Sequence, residues 1–142
     1  MKTNSDLIEK ADNALRATNI VSENGTYDNR FKGYISSFGA SIVQSGLLPT
    51  VIFYEKEETG EAKDRPKVVQ ALIAMLNNNQ SGDNPRIPKK LSKYIIDKKC
   101  GNEFIEEVTD CMVAMKLALR MYRSIKNDNY IQLLQHQRIL KE

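Results

Sequence analysis

The chain has 142 residues, 41% of them hydrophobic, 27% charged and only 7% aromatic, with a formal net charge of +3. This length suits one domain and leaves no comfortable room for two, while the apolar fraction argues against wholesale disorder. No apolar run approaches the roughly 18 residues of a membrane span, the opening Met-Lys-Thr-Asn-Ser-Asp lacks the apolar stretch of a signal peptide, and Cys100 and Cys111 are too few for a disulfide framework, so we expect reduced thiols and a cytoplasmic protein.

In chain order, Leu7, Ile8, Ala11, Ala14 and Leu15 recur at helical spacing, which predicts an amphipathic helix over 5–19. Ser5 or Asp6 can cap it, with Glu9 three residues after Asp6. Ser22-Glu23-Asn24-Gly25-Thr26 reads as a turn. Phe31, Tyr34, Ile35, Phe38 and Ile42 predict a second helix from about Tyr27 to Gln44, stopped by Ser45-Gly46. A third follows at once over 47–56, where Pro49 suits a first turn. The run Val51-Ile52-Phe53-Tyr54 has the look of a short buried strand, but no partner strand is visible and it is assigned to this helix.

Residues 55–64 hold five acids against two lysines and read as a solvated connection. Pro66 opens a fourth helix with Val68, Val69, Leu72, Ile73, Met75 and Leu76 as core candidates, and 77–87 is a polar loop. A short helix over 88–98 ends before Gly101. The last long helix is predicted over 103–126, with Phe104, Val108, Cys111, Met112, Met115, Leu119 and Tyr122 on one face. Residues 129–142 form a C-terminal tail with weak helical character. The expected architecture is an all-α, single-domain bundle of about five to six helices.

Charge on the last helix is unevenly placed. Glu103, Glu106, Glu107 and Asp110 occupy its first turns, while Lys116, Arg120, Arg123 and Lys126 occupy its last. At 100° per residue, Lys116, Arg120 and Arg123 fall within about 60° of one another and form a basic ridge. Two readings stand: the charges offset the helix dipole, or the ridge faces phosphate, whose geometry guanidinium groups match. A second basic cluster comprises Arg86, Lys89, Lys90, Lys93, Lys98 and Lys99 against Asp97 alone. It is either a solvated face or a sequence-blind contact to nucleic-acid backbone.

No catalytic constellation assembles. The carboxylates of 103–110 lie on a solvated face, where both members of a pair stay ionised. Cys111 belongs to the apolar stripe and reads as a core thiol. The single histidine, His136, lies in the tail, so a His-rich metal site or a Ser-His-Asp triad on a rigid scaffold is hard to assemble. There is no glycine-rich phosphate loop, and Phe31, Tyr34 and Phe38 read as core. We expect no enzyme, no metal and no cofactor. A helix-turn-helix around 44–54 is disfavoured, because Val51-Ile52-Phe53-Tyr54 is too apolar for a recognition helix.

The stretch from Arg30 to Tyr54 carries a recognisable pattern. A basic-aromatic start at Arg30-Phe31 leads into an apolar helix, the Ser45-Gly46-Leu47-Leu48 turn, a second apolar helix containing Phe53, and Lys56 near its end. Thr109, an apolar run and Leu119-Arg120-Met121-Tyr122 follow in the last helix. This resembles the small α-helical subunit of the type III-B (Cmr) CRISPR effector complex. The resemblance implies a non-catalytic part of a ribonucleoprotein whose copies stack along the crRNA-bearing backbone subunits and line the groove that receives target RNA. RNA cleavage and cyclic oligoadenylate synthesis would belong to other subunits. Arg30, Lys56 and Arg120 match basic positions of the family pattern, whereas Lys116 and Arg123 are nominated by the ridge alone. The competing expectation is a helical adaptor that binds only protein, with its charges serving solubility.

Overall fold

A computed structural model describes residues 5–78 and 86–125. The expected loop lies largely outside the described residues, as do Lys126, His136 and the expected tail over 129–142. In order, the elements are α1 (Ser5–Ala17), β1 (Thr26–Asp28), α2 (Asn29–Ser45), α3 (Leu47–Glu55), a 3-10 turn (Gly60–Asp64), α4 (Pro66–Asn78), α5 (Leu91–Lys98), α6 (Asn102–Leu119) and β2 (Arg123–Ile125). Among the described residues the fold is a helical bundle, as the periodicity predicts, with one two-stranded parallel ribbon, β1 beside β2.

The core is centred on α6, which packs against α1, α2 and α4. Enclosure on several sides explains why α6 buries more than one stripe: Phe104, Val108, Cys111, Met112, Ala114, Met115, Ala118 and Leu119 are all buried. Against them lie Leu15 of α1, Ile35 and Phe38 of α2, and Leu72, Met75 and Leu76 of α4, each at most 2% exposed. Fully burying such a side chain contributes about 1.5–3 kcal/mol relative to leaving it in water. Burial pushes the Cys111 thiol up to about 12, so it stays protonated and inert.

Polar contacts set the joints. Asp28 ends β1 and caps α2, its carboxylate accepting the Arg30 backbone N–H at 2.9 Å. At the α2–α3 corner Gly46 takes φ 96°, open to glycine but strained for other residues, and its N–H donates to Ile42 O at 3.0 Å. The buried Thr50 hydroxyl donates to Gly46 O at 2.8 Å, which leaves Ser41 to donate to Thr50 across 2.7 Å. Tyr54 donates to the Tyr34 carbonyl at 2.7 Å, and burial pushes its phenol up to about 12. Asn77 pairs with both backbone groups of the fully buried Ile87, each at 2.9 Å, holding the far end of the expected loop against α4.

α5 receives its cap from a different helix. The Glu55 carboxylate accepts the N–H groups of Leu91 at 2.7 Å and Ser92 at 3.3 Å, placing a negative charge at the positive end of the helix. The helix therefore starts at Leu91, three residues after the expected Pro88, because Lys90 is held extended at φ −112°, ψ 118°.

Three further boundaries differ from the expected ones. The first helix stops at Ala17, short of the expected Asn19, which adopts a left-handed φ of 61°. Tyr27 belongs to β1 and not to α2. The helix predicted over 103–126 ends at Leu119: Arg120 is its C-cap, a turn follows, and Arg123 pairs with Thr26 on β1. Tyr122, which continues the helical spacing, donates instead to the Asp12 carboxylate of α1, and Arg123 N donates to Gly25 O at 3.2 Å. These partners at the start of the chain compete for the groups that another helical turn would use.

Two outcomes follow from this packing. Glu55→Ala should lower the urea-unfolding free energy by about 1 kcal/mol, the usual cost of a lost helix cap, and Glu55→Gln should recover most of it. Alkylation near neutral pH should modify the half-buried Cys100 in the native state, with Cys111 protected until denaturant unfolds α6; equal native rates by peptide mapping would contradict the buried assignment.

Candidate nucleic-acid interface

The fold separates the cations into those that hold it together and those it leaves to solvent. Arg86 is of the first kind. Its guanidinium donates to Glu107 of α6 at 2.9 Å and lies 5.9 Å from the ring centroids of both Tyr94 and Phe104, while its Nε is buried without a hydrogen-bond partner. Arg86 thus leaves the basic cluster proposed for 86–99 and becomes a bracket between the segment before α5 and α6. Lys89, Lys90, Lys93, Lys98 and Lys99 remain exposed, and none has a carboxylate partner among the described residues.

Arg30 is also engaged. Its guanidinium donates to Asp28 at 2.9 and 3.2 Å and lies 3.9 Å from Asp64, and the Asp28 hydrogen bond raises its pKa above the ordinary value. Asp64 in turn lies 3.6 Å from Lys67. Arg30 therefore ties the start of α2 to the turn before α4. Lys56, just past α3, has a side chain 71% exposed and sits 3.6 Å from Glu58, a contact that contributes little at the surface.

On α6, Lys116 and Arg120 stand one turn apart and both are exposed. No acid among the described residues pairs with either. Arg123 is exposed but lies on β2. The ridge of three cations is corrected to a helical pair, Lys116 and Arg120, with Arg123 carried away by the strand. Because 100° spacing applies only while the helix continues, its end at Leu119 removes the geometric basis for placing Arg123 beside Lys116. The acids of the first turns divide as well, with Glu103 and Glu106 exposed and Glu107 drawn to Arg86.

Two residues that sequence reasoning missed complete the surface near Arg30. Arg65 lies over the Phe53 ring at 4.4 Å from its centroid and 5.8 Å from that of Tyr34. Phe53 is 56% exposed and Ile52 52% exposed, whereas Val51 and Tyr54 are buried. A nine-residue helix that is apolar all round must leave some of that surface outside, and this signal was present in the run from Val51 to Tyr54. Arg65, between the charged connection over 55–64 and Pro66, carried no comparable signal.

Among the described residues there is no group of three His, Cys, Asp or Glu side chains able to hold a metal ion, and no helix long and apolar enough to cross a membrane. What the described residues form is a helical bundle with exposed cations on several of its elements. Over residues 8–106 the chain matches the family of the CRISPR-associated protein (Cas_Cmr5), and it belongs to that family. The resemblance of 30–54 to the small Cmr subunit is thereby borne out, and membership implies association with other CRISPR-associated effector subunits. No curated protein matches the chain, and no solved structure does. Arg30, Phe53, Lys56 and Arg65 lie within the matched region; Lys116, Arg120 and Arg123 lie beyond it.

This division is measurable. Lys116→Ala with Arg120→Ala should leave the unfolding free energy within about 0.5 kcal/mol of wild type, whereas Arg86→Ala should cost about 1–3 kcal/mol through its lost charged hydrogen bond and ring packing. Urea melts monitored by circular dichroism compare them directly.

Proposed function

We propose that this protein is a non-catalytic small subunit of a type III-B CRISPR RNA-guided effector complex, acting in the cytoplasm in antiviral defence. Copies of it stack along the backbone subunits and help to hold crRNA and target RNA through contacts to the phosphate chain. The observation that carries this reading is the family match over residues 8–106. The exposed cations support it, because a backbone contact needs positive charge that no neighbouring carboxylate neutralises. Lys116 and Arg120 meet that condition best, Lys56 and Arg123 extend the same chemistry to other faces, and Arg30 contributes only to the extent that Asp28 and Asp64 release it. Catalysis is left to other subunits.

In filter binding by the assembled complex, the Lys116→Ala, Arg120→Ala double variant should bind target RNA more weakly. Each lost phosphate contact on a single strand should flatten the slope of log affinity against log salt by about 0.7, or about 1.4 for both. Unchanged affinity and slope, together with unchanged binding by complex lacking the subunit altogether, would favour the alternative of a helical protein-protein adaptor without nucleic-acid contact.

A further inference from the structure

The surface formed by α2, α3 and the turn before α4 holds a cation that the fold does not neutralise. Arg65 adjoins Asp64 in sequence, yet Asp64 is shared by Arg30 and Lys67 at 3.9 and 3.6 Å. No carboxylate among the described residues pairs with the Arg65 guanidinium. It lies instead against an aromatic ring, 4.4 Å from the Phe53 centroid. Stacking of this kind fixes the guanidinium plane and leaves its N–H edge available to donate. Phe53 meanwhile keeps 56% of its surface open even with Arg65 against it. Three residues further on, Lys56 projects into solvent with its side chain 71% exposed.

We propose that Phe53 and Arg65 form a contact for one nucleotide of single-stranded RNA, with a base stacked on the open surface of Phe53 and the adjoining phosphate accepting from Arg65. The inference rests on the reading that this subunit faces RNA, and adds a base-stacking element to a contact otherwise made of point charges. A ring paired with an oriented arginine suits a nucleotide, which offers a π-face and an anion a few ångströms apart. An acidic peptide would use the arginine and leave the ring in water. Paired bases cannot reach Phe53 in this way, so the contact is confined to unpaired RNA.

The test uses the assembled complex and a single-stranded target RNA substituted with 4-thiouridine. Irradiation should crosslink the wild-type subunit within the peptide 33–56, which contains Phe53. Phe53→Leu keeps apolar bulk without a stacking face; it should lower the crosslink yield and affinity about tenfold, leaving the salt slope unchanged. Arg65→Gln should weaken binding and flatten the slope by about 0.7. The inference is overturned by a wild-type crosslink map without a site in 33–56, or by two variants with wild-type crosslinking and slope. If the Lys116, Arg120 double variant still loses affinity in that case, the RNA reading stands without this contact; if the wild-type subunit crosslinks nowhere, both fall. Loss of the subunit from complexes made with either variant, with crosslinks mapping elsewhere, would assign the patch to a protein partner and overturn the inference as well.

Discussion

Enclosure of α6 by α1, α2 and α4 is the constraint on which the rest of the structure depends. A helix packed by three neighbours cannot spare a wide polar face, and eight of its residues are buried. Ala114 and Ala118 are among them, small enough to let neighbouring backbones approach closely. What remains for charge is a narrow strip, acidic near Glu103 and Glu106 and basic at Lys116 and Arg120. The same enclosure takes Cys111 out of chemistry, because a thiol surrounded by apolar side chains keeps its proton. Packing thus dictates where function can be placed before any question of partners arises.

The second organising feature is how acids are allotted to cations. Asp28, Asp64 and Glu107 each serve a joint: the entry to α2, the turn before α4, and the seam between α6 and the segment before α5. Glu55 serves another by capping α5 in place of a local residue. With these carboxylates committed internally, Lys116, Arg120 and the lysines of 89–99 are left in solvent. A net charge of +3 conveys none of this. A nearly neutral chain acquires directional charge once its acids turn inward to structural tasks.

Much of the bundle was legible in the sequence, because apolar spacing reports burial directly. Phe31, Ile35, Phe38 and Ile42 of α2, and Val68, Val69, Leu72, Met75 and Leu76 of α4, occupy the positions that periodicity assigns them. The turn at Ser45-Gly46 follows from glycine's freedom at positive φ. The end of α6 was not legible, since Tyr122 continues the helical rhythm and the groups that divert the chain, Asp12 and Gly25, lie at its other end. A three-residue strand whose first two residues are exposed offers no alternation to read. At the candidate interface the family pattern picked out Arg30 and Lys56 by position, but the partnerships of Arg30 depend on a turn whose geometry no local pattern encodes. Phe53 escaped because an aromatic residue inside an apolar run looks like core until the helix has been oriented.

The pairing of Thr26–Asp28 with Arg123–Ile125 carries a consequence for the order of folding. A parallel ribbon between residues 26–28 and 123–125 cannot form until the second of these segments has left the ribosome, and closing so long a loop is entropically costly for so few hydrogen bonds. The ribbon therefore closes late, although the segment around β1 already bonds locally, with Ser22 N donating to Thr26 O at 2.8 Å. Only when α6 docks does Tyr122 reach Asp12 and bring the last strand beside the first. The joint at Tyr122 and β2 thus ties together residues far apart in sequence, so the ribbon depends on the helices between them being in place.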